Sequence, residues 1–209
     1  VTTLNTDAKF PNGALFDNNT SLKLIKELEN WFPDKFSILD LGCAGGRFIF
    51  DCNSRGHTAV GLENSLTPRT DKRSPGFNNW LSLADKNLFN ADISEPFDIF
   101  LDDQPLKFDV ITAWEVLEHI HPVRLNDTLQ RIASFLKEGG MFLATISTVS
   151  GLFRGIEYHS TICNRYIWLD FILQKHFTLH PFPFSHCPRM DSCPNLGIVD
   201  DSIAVMCTL

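Results

Sequence analysis

"ILDLGCAGGRF", residues Ile38 to Phe48, runs apolar residues into an aspartate and then sets Gly42, Gly45 and Gly46 close together. Ile38–Leu41 reads as a buried strand that stops abruptly, and glycine is the residue that lets the next stretch of backbone approach another group. The stretch therefore predicts a strand, a loop that cradles a ligand, and a short helix over Arg47–Ser54.

The neighbouring segments extend this pattern. Before it, Asn18–Ser21 offers helix caps, and Leu22, Ile25 and Leu28 recur at helical spacing, which predicts a leading helix over residues 21–31. After it, Thr58–Leu62, Asn87–Asn90 and Phe108–Ala113 read as strands. Pro122 opens a helix with Val123, Leu125, Leu129, Ile132, Ala133 and Leu136 on one apolar face, and Gly139-Gly140 is expected to end it before a strand over Met141–Ile146. Alternation of strand and helix predicts one α/β domain over residues 1–209, with a mostly parallel sheet covered on both faces. Residues 148–175 read as a lid, helical over Tyr166–Lys175, with Tyr166, Trp168 and Phe171 candidates for packing it onto the sheet. "HPFPFSHCPRMDSCPNLG" (His180–Gly197) reads as a long loop and "SIAVMCTL" (Ser202–Leu209) as a last strand.

Bulk composition narrows the function. Of 209 residues, 44% are hydrophobic and the formal charge is -7, so the surface as a whole repels phosphate backbones and argues against nucleic acid as a substrate. Cys43, Cys52, Cys163, Cys187, Cys193 and Cys207 form no C-x-x-C pair, which suits reduced thiols in a cytoplasmic protein. No apolar run is long enough to span a membrane, so no membrane is expected among the partners. The dinucleotide fingerprint would need glycine where Ala44 and Arg47 stand, and no Gly-Lys-Ser/Thr follows for a phosphate-binding P-loop.

Asp40-Leu41-Gly42-Cys43-Ala44-Gly45-Gly46 resembles the first motif of class I S-adenosylmethionine-dependent methyltransferases, D-x-G-x-G-x-G, with Ala44 in place of the middle glycine. Three further segments match that family in order. "AVGLENS" puts Glu63 where the family's acid accepts the ribose hydroxyls of the cofactor, and "NLFNADISEPF" puts Asp92 and Ile93 at the adenine. "FDVITAWEVLEHI" resembles its D-V-I-x-x-x-E-V-L-E-H segment, which sets Ala113 and Trp114 beside the methionine part. "LKEGGMFLAT" follows its L-K-P-G-G turn, with Glu138 for proline. The resemblance covers roughly Phe36 to Ile146 and is nearest to the ubiquinone-pathway O-methyltransferase type. It implies a doubly wound, Rossmann-like, seven-stranded sheet, S-adenosyl-L-methionine as cofactor, and methyl transfer to a small-molecule acceptor, on oxygen. Asp40, Gly42, Cys43, Ala44, Gly45, Glu63, Asp92, Ile93, Ala113 and Trp114 are the expected cofactor contacts.

For a hydroxyl acceptor a base helps remove the proton, and His119, just past the fourth strand, is the candidate catalytic residue. Glu115, Glu118 and His119 are spaced to share one helical face, and His159 could join them on a divalent ion. The same segment packs and caps helices in relatives without metal, and no metal is expected. His180, His186, Cys187 and Cys193 fit no zinc spacing. Phe153, Arg154, Tyr158, His159 and Arg165 suggest an aromatic acceptor pocket with a guanidinium or two, and Phe10–Phe16 is its alternative place. Two rival readings are an NAD(P)-dependent oxidoreductase and a non-catalytic binding protein on the methyltransferase fold.

Overall fold

Seven segments rich in branched and aromatic residues pair into one sheet: β1 (Ser37–Leu41), β2 (Thr58–Glu63), β3 (Leu88–Asn90), β4 (Phe108–Trp114), β5 (Leu136–Ser147), β6 (Thr178–His180) and β7 (Ser202–Thr208). The structure is a computed structural model that describes residues 16–101, 104–153, 155–188 and 202–209. Strand order is β6-β7-β5-β4-β1-β2-β3, parallel throughout except for β7, which runs antiparallel to both β5 and β6. Leu41 is in register with Leu62 on β2 and with Ala113 on β4, so the carboxyl ends of the three central strands lie at one edge of the sheet. Strand order reverses between β1 and β4, and that is where doubly wound sheets open a ligand crevice.

Alternation along the strands builds a core on each face. Ile38 points into one cluster and Leu39 into the other, as a period of two requires. The Ile38 face is covered by α1 (Leu22–Trp31), through Leu24, Ile25 and Leu28, and by α2 (Arg47–Ser54), through Phe48, Ile49 and Cys52. Ser21 caps α1 by accepting from Leu24 N at 3.1 Å. The Leu39 face is covered by α5 (Pro122–Phe135), through Leu125, Leu129, Ile132 and Phe135. Between β2 and β3 the chain forms two short helices, α3 (Thr67–Thr70) and α4 (Phe77–Leu83).

Several expectations are corrected. α5 ends at Phe135, not at the glycine pair, because Leu136 already pairs with Phe108 and Gly139, at φ +73°, lies inside the irregular start of β5. Val123 sits off the apolar face, 77% exposed. His180 belongs to an edge strand, not a loop, and Phe182, Phe184 and Cys187 beyond it are buried against the α1 side. In the lid, Ile167–Ile172 winds as a wide π-turn that buries Trp168 and leaves Tyr166 and Phe171 exposed. Cys43, Cys52, Cys163, Cys187 and Cys207 are free thiols; Cys193, Arg154 and Phe10 lie outside the described residues.

Candidate active site

The loop after β1 is fastened from every side. Gly42 N–H and Cys43 N–H donate to Leu62 O at 2.8 and 3.0 Å, Gly46 N–H to Cys43 O at 2.8 Å, and Ala44 N–H to Glu63 Oε2 at 2.8 Å. Its carbonyls are taken by α4: Trp80 Nε1 donates to Ala44 O and Asn79 Nδ2 to Gly45 O, both at 2.9 Å. Gly42, Ala44 and Gly46 all have positive φ, and a Cβ on Gly42 would stand 2.5 Å from Val116 Cγ2. The backbone of α4 comes closer still, since a Cβ on Gly76 would lie 2.2 Å from Gly45 Cα. Trp80, Asn79 and Gly76 carry no motif, and only the structure shows their hold on the loop.

At the carboxyl end of β2, Glu63 is nearly buried and accepts from Ser65 N at 2.8 Å as well as from Ala44. Asp40, also buried, accepts from Thr112 Oγ1 at 2.7 Å. A cleft of about 20 Å³ is lined by Asp40, Gly42, Cys43, Ala44, Phe48 and Trp114 together with Asp17, Asn19 and Pro188. Burial pushes the Cys43 thiol well above its ordinary range, which removes it as a nucleophile. Five of the expected cofactor contacts thus meet at one cleft, and Glu63 joins them through Ala44. Gly45 instead donates its N–H to Asp17 O at 2.9 Å. Asp92 turns onto its own loop, accepting from Ser94 N at 2.9 Å and Ser94 Oγ at 2.7 Å, while Ile93 and Ala113 are core residues. A larger surface groove, about 450 Å³, lies beside Lys107 and Arg131, near the start of β4 and so at the opposite end of the sheet.

Beyond β4 the expected helical face does not form. Glu115 adopts φ +54° and turns the chain, and Leu117–His119 makes a single 3-10 turn. Glu115 therefore parts from the other two and reaches Ser202 Oγ at 3.4 Å. Glu118 is fully buried, its Oε1 accepting from Ser147 N at 3.2 Å. One ligand atom each from Glu118, His119 and His159 lie within 4.8 Å of one another, the one such grouping among the described residues. His119 Nδ1 is 3.0 Å from Tyr158 O, and His159 Nδ1 is 2.6 Å from Val149 O. Carbonyls only accept, so Nδ1 is the donor in both rings, and in the neutral form of each ring Nε2 is the accepting nitrogen. Glu157 Oε1 secures the turn by accepting from Gly151 N at 2.8 Å and His159 N at 2.9 Å, and a Cβ on Gly151 would stand 2.6 Å from His159 Nε2. His180 and His186 bond elsewhere, to Thr208 Oγ1 and Lys23 Nζ.

The chain resembles known proteins along much of its length. It is 34% identical over 111 residues to the ubiquinone biosynthesis O-methyltransferase of Chelativorans sp. strain BNC1, covering 53% of this chain and 40% of that protein. The protein of the same name from Pseudomonas syringae pv. tomato is 25% identical over 124 residues, 56% of this chain and 50% of that one. The chain thus spans half or less of these relatives' length. Among solved structures, the PH0226 protein of Pyrococcus horikoshii OT3 superposes with a TM-score of 0.60 over 97% of this chain and 99% of that one, at 14% identity. An S-adenosylmethionine-dependent methyltransferase of Clostridium acetobutylicum gives a TM-score of 0.60 over 89% and 88%, at 16% identity. Both share the fold. Residues 16–182 match the family described as a methyltransferase domain, and that span holds the glycine loop, Glu63 and the histidine pair: the chain belongs to the methyltransferase domain family.

Proposed function

We propose that this chain transfers a methyl group from S-adenosylmethionine to an oxygen of a small-molecule acceptor, in the cytoplasm. The observation that carries the reading is the joining of a glycine loop to a buried carboxylate, Ala44 N–H to Glu63 Oε2 at 2.8 Å, at the carboxyl edge of a methyltransferase-family sheet. Both Glu63 oxygens accept backbone N–H groups, one of them from the glycine loop, and an acid so placed at the carboxyl end of β2 suits a ribose. Gly42, where a side chain would collide with Val116, keeps the loop backbone bare. Asp40, Cys43, Gly45 and Trp114 complete the donor side, with Asp92 and Ile93 toward the base and Ala113 beneath. A charge of -7 and a small, partly aromatic surround favour a small acceptor over nucleic acid.

When bound, the cofactor supplies a methyl on a sulfonium, whose departure as a neutral thioether needs no acid. The chain's own task is to orient the acceptor and remove its proton. His119 Nε2 is the base: Tyr158 O accepts from Nδ1 and so makes Nε2 the accepting nitrogen of the neutral ring. A second reading rests on the approach of Glu118, His119 and His159, whose ligand atoms lie within 4.8 Å of one another. Two imidazoles and a carboxylate are a donor set for a divalent transition ion, which would hold the acceptor oxygen and lower its pKa in place of the base. Calorimetric titration with S-adenosylhomocysteine tests the donor half, and absence of binding at millimolar ligand overturns it. Turnover that survives prolonged chelation selects the base; turnover lost to chelation and restored by Mn²⁺ selects the ion.

A further inference from the structure

The cleft beside the glycine loop, on the Trp114 side, holds about 20 Å³, room for a single water and short of the methionine part of the cofactor. Every backbone N–H from Gly42 to Arg47 is already engaged within the protein. Four of the six, those of Gly42, Cys43, Ala44 and Gly46, go to the loop itself or to β2. The other two go to the segment before α1: Gly45 N–H to Asp17 O at 2.9 Å and Arg47 N–H to Asn18 Oδ1 at 3.1 Å. Asn18 also accepts from Asn79 Nδ2 at 3.0 Å and donates to Pro75 O at 3.1 Å. One amide side chain therefore ties the leading segment to α2, to α4 and to the turn before α4, while Asp17 and Asn19 of that segment line the cleft.

Of the residues lining the cleft, Asp40, Gly42, Cys43, Ala44, Phe48 and Trp114 belong to the sheet edge, the loop and α2, all fixed by the core. The side-chain bonds of Asn18 are exposed or half-buried, so each exchanges readily with water. Making room for the methionine part therefore costs least on that side. We infer that Asn18 is a positioning residue for the methyl donor: a latch whose release swings Asp17–Asn19 off the glycine loop and admits the cofactor. The inference rests on the proposed donor site. A ligand that binds only the open form has its affinity reduced by the closed fraction, so weakening the latch tightens binding and speeds association.

The test is S-adenosylhomocysteine binding to the full chain and to Asn18→Ala, by calorimetry and by stopped-flow tryptophan fluorescence, with thermal unfolding alongside. The expected result is about five- to tenfold tighter binding, carried by a faster association rate, in a variant whose melting temperature is unchanged or lower. A residue that merely caps α2 would lower the melting temperature and leave the association rate alone, and that outcome overturns the inference. Weaker binding overturns it too, because the segment would then be a wall of the occupied site. Asn79→Ala, which removes a donor to both Asn18 Oδ1 and Gly45 O, should shift association in the same direction and decides the matter if Asn18→Ala does not fold. If neither the unaltered chain nor Asn18→Ala binds S-adenosylhomocysteine, the donor-site reading fails and the latch with it; binding by Asn18→Ala alone supports both.

Discussion

His119 and His159 meet with ring centroids 4.9 Å apart and planes at 80°, each ring fixed by a backbone carbonyl from the stretch that follows β5. Residues 39 positions apart in one case and 10 in the other supply those anchors, so the pair is a product of tertiary structure and not of the E-V-L-E-H segment alone. Replacing His119 by alanine should lower the turnover rate by about 10²–10⁴-fold, the range of a lost general base. Affinity for S-adenosylhomocysteine should stay within about threefold, under ~0.7 kcal/mol. Loss of that affinity in folded protein would place the pair in the donor site instead.

Glu63 is the next point of attack. Exchange for alanine removes a carboxylate that accepts from Ala44 and Ser65 and, in the proposed donor site, takes the ribose hydroxyls, and should weaken S-adenosylhomocysteine by about 1–3 kcal/mol. Calorimetry at a temperature well below unfolding measures this, and an unchanged dissociation constant means the acid serves the loop and not the ligand.

Two glycines separate crowding from backbone strain. Gly76→Ala drives a Cβ onto the Gly45 backbone, which cannot yield like a flexible side chain, and should cost about 3 kcal/mol. Gly139→Ala meets no atom within 4 Å and suffers only its φ of +73°, about 1 kcal/mol. Urea unfolding of the two variants side by side gives both values, and equal losses would remove the close approach as the reason for glycine at position 76.

Acid should loosen the junction of α1 with α2 and β2. The Arg55 hydrogen bond, with help from His57, holds the Glu29 carboxyl down from 4.5 to about 2. A depressed carboxyl stabilises the fold above its unfolded value, so that contribution fades as pH falls from 4.5 toward 2. Burial holds the His57 ring below its ordinary 6.5, so its protonation also opposes folding on the acid side. The Arg55 end of the pair is well exposed, so solvent screens much of that contribution. Arg55→Ala should therefore be less stable than the unaltered chain at pH 7 and nearly equal to it at pH 2; a gap that persists into acid would mean the arginine acts through packing.

Much of this architecture was legible because the signals are local. The apolar run into Asp40, the glycines after it and the caps before Leu22 each dictate conformation within a few residues, and strand, loop and helix appear where those cues fall. Strand β6 was not legible: three residues at a sheet edge carry no periodicity, and their place depends on β7, more than twenty positions later. The end of α5 was misread for a related reason, since Leu136 is drawn into the sheet by Phe108. Within the site, Glu63 could be placed by its strand end, whereas Asn18, Asn79 and Trp80 reach the loop through contacts 29 to 36 residues apart, for which no short motif exists. Helical spacing wrongly grouped Glu115 with Glu118 and His119, because a left-handed residue at the strand exit rotates it away.

The position of β7 bears on how the molecule is made. Its residues, 202–208, sit between β5 and β6, so the sheet on that side is completed only by the stretch that leaves the ribosome after both of its neighbours. Until then β5 presents an open, hydrophobic strand edge, the kind of surface that recruits chaperones or pairs with another chain. Stalling or proteolysis anywhere between His180 and Ser202 would leave a species with its helices and most of its parallel strands in place and one adhesive edge exposed. Cutting the chain ahead of Ser202 should therefore send it to inclusion bodies.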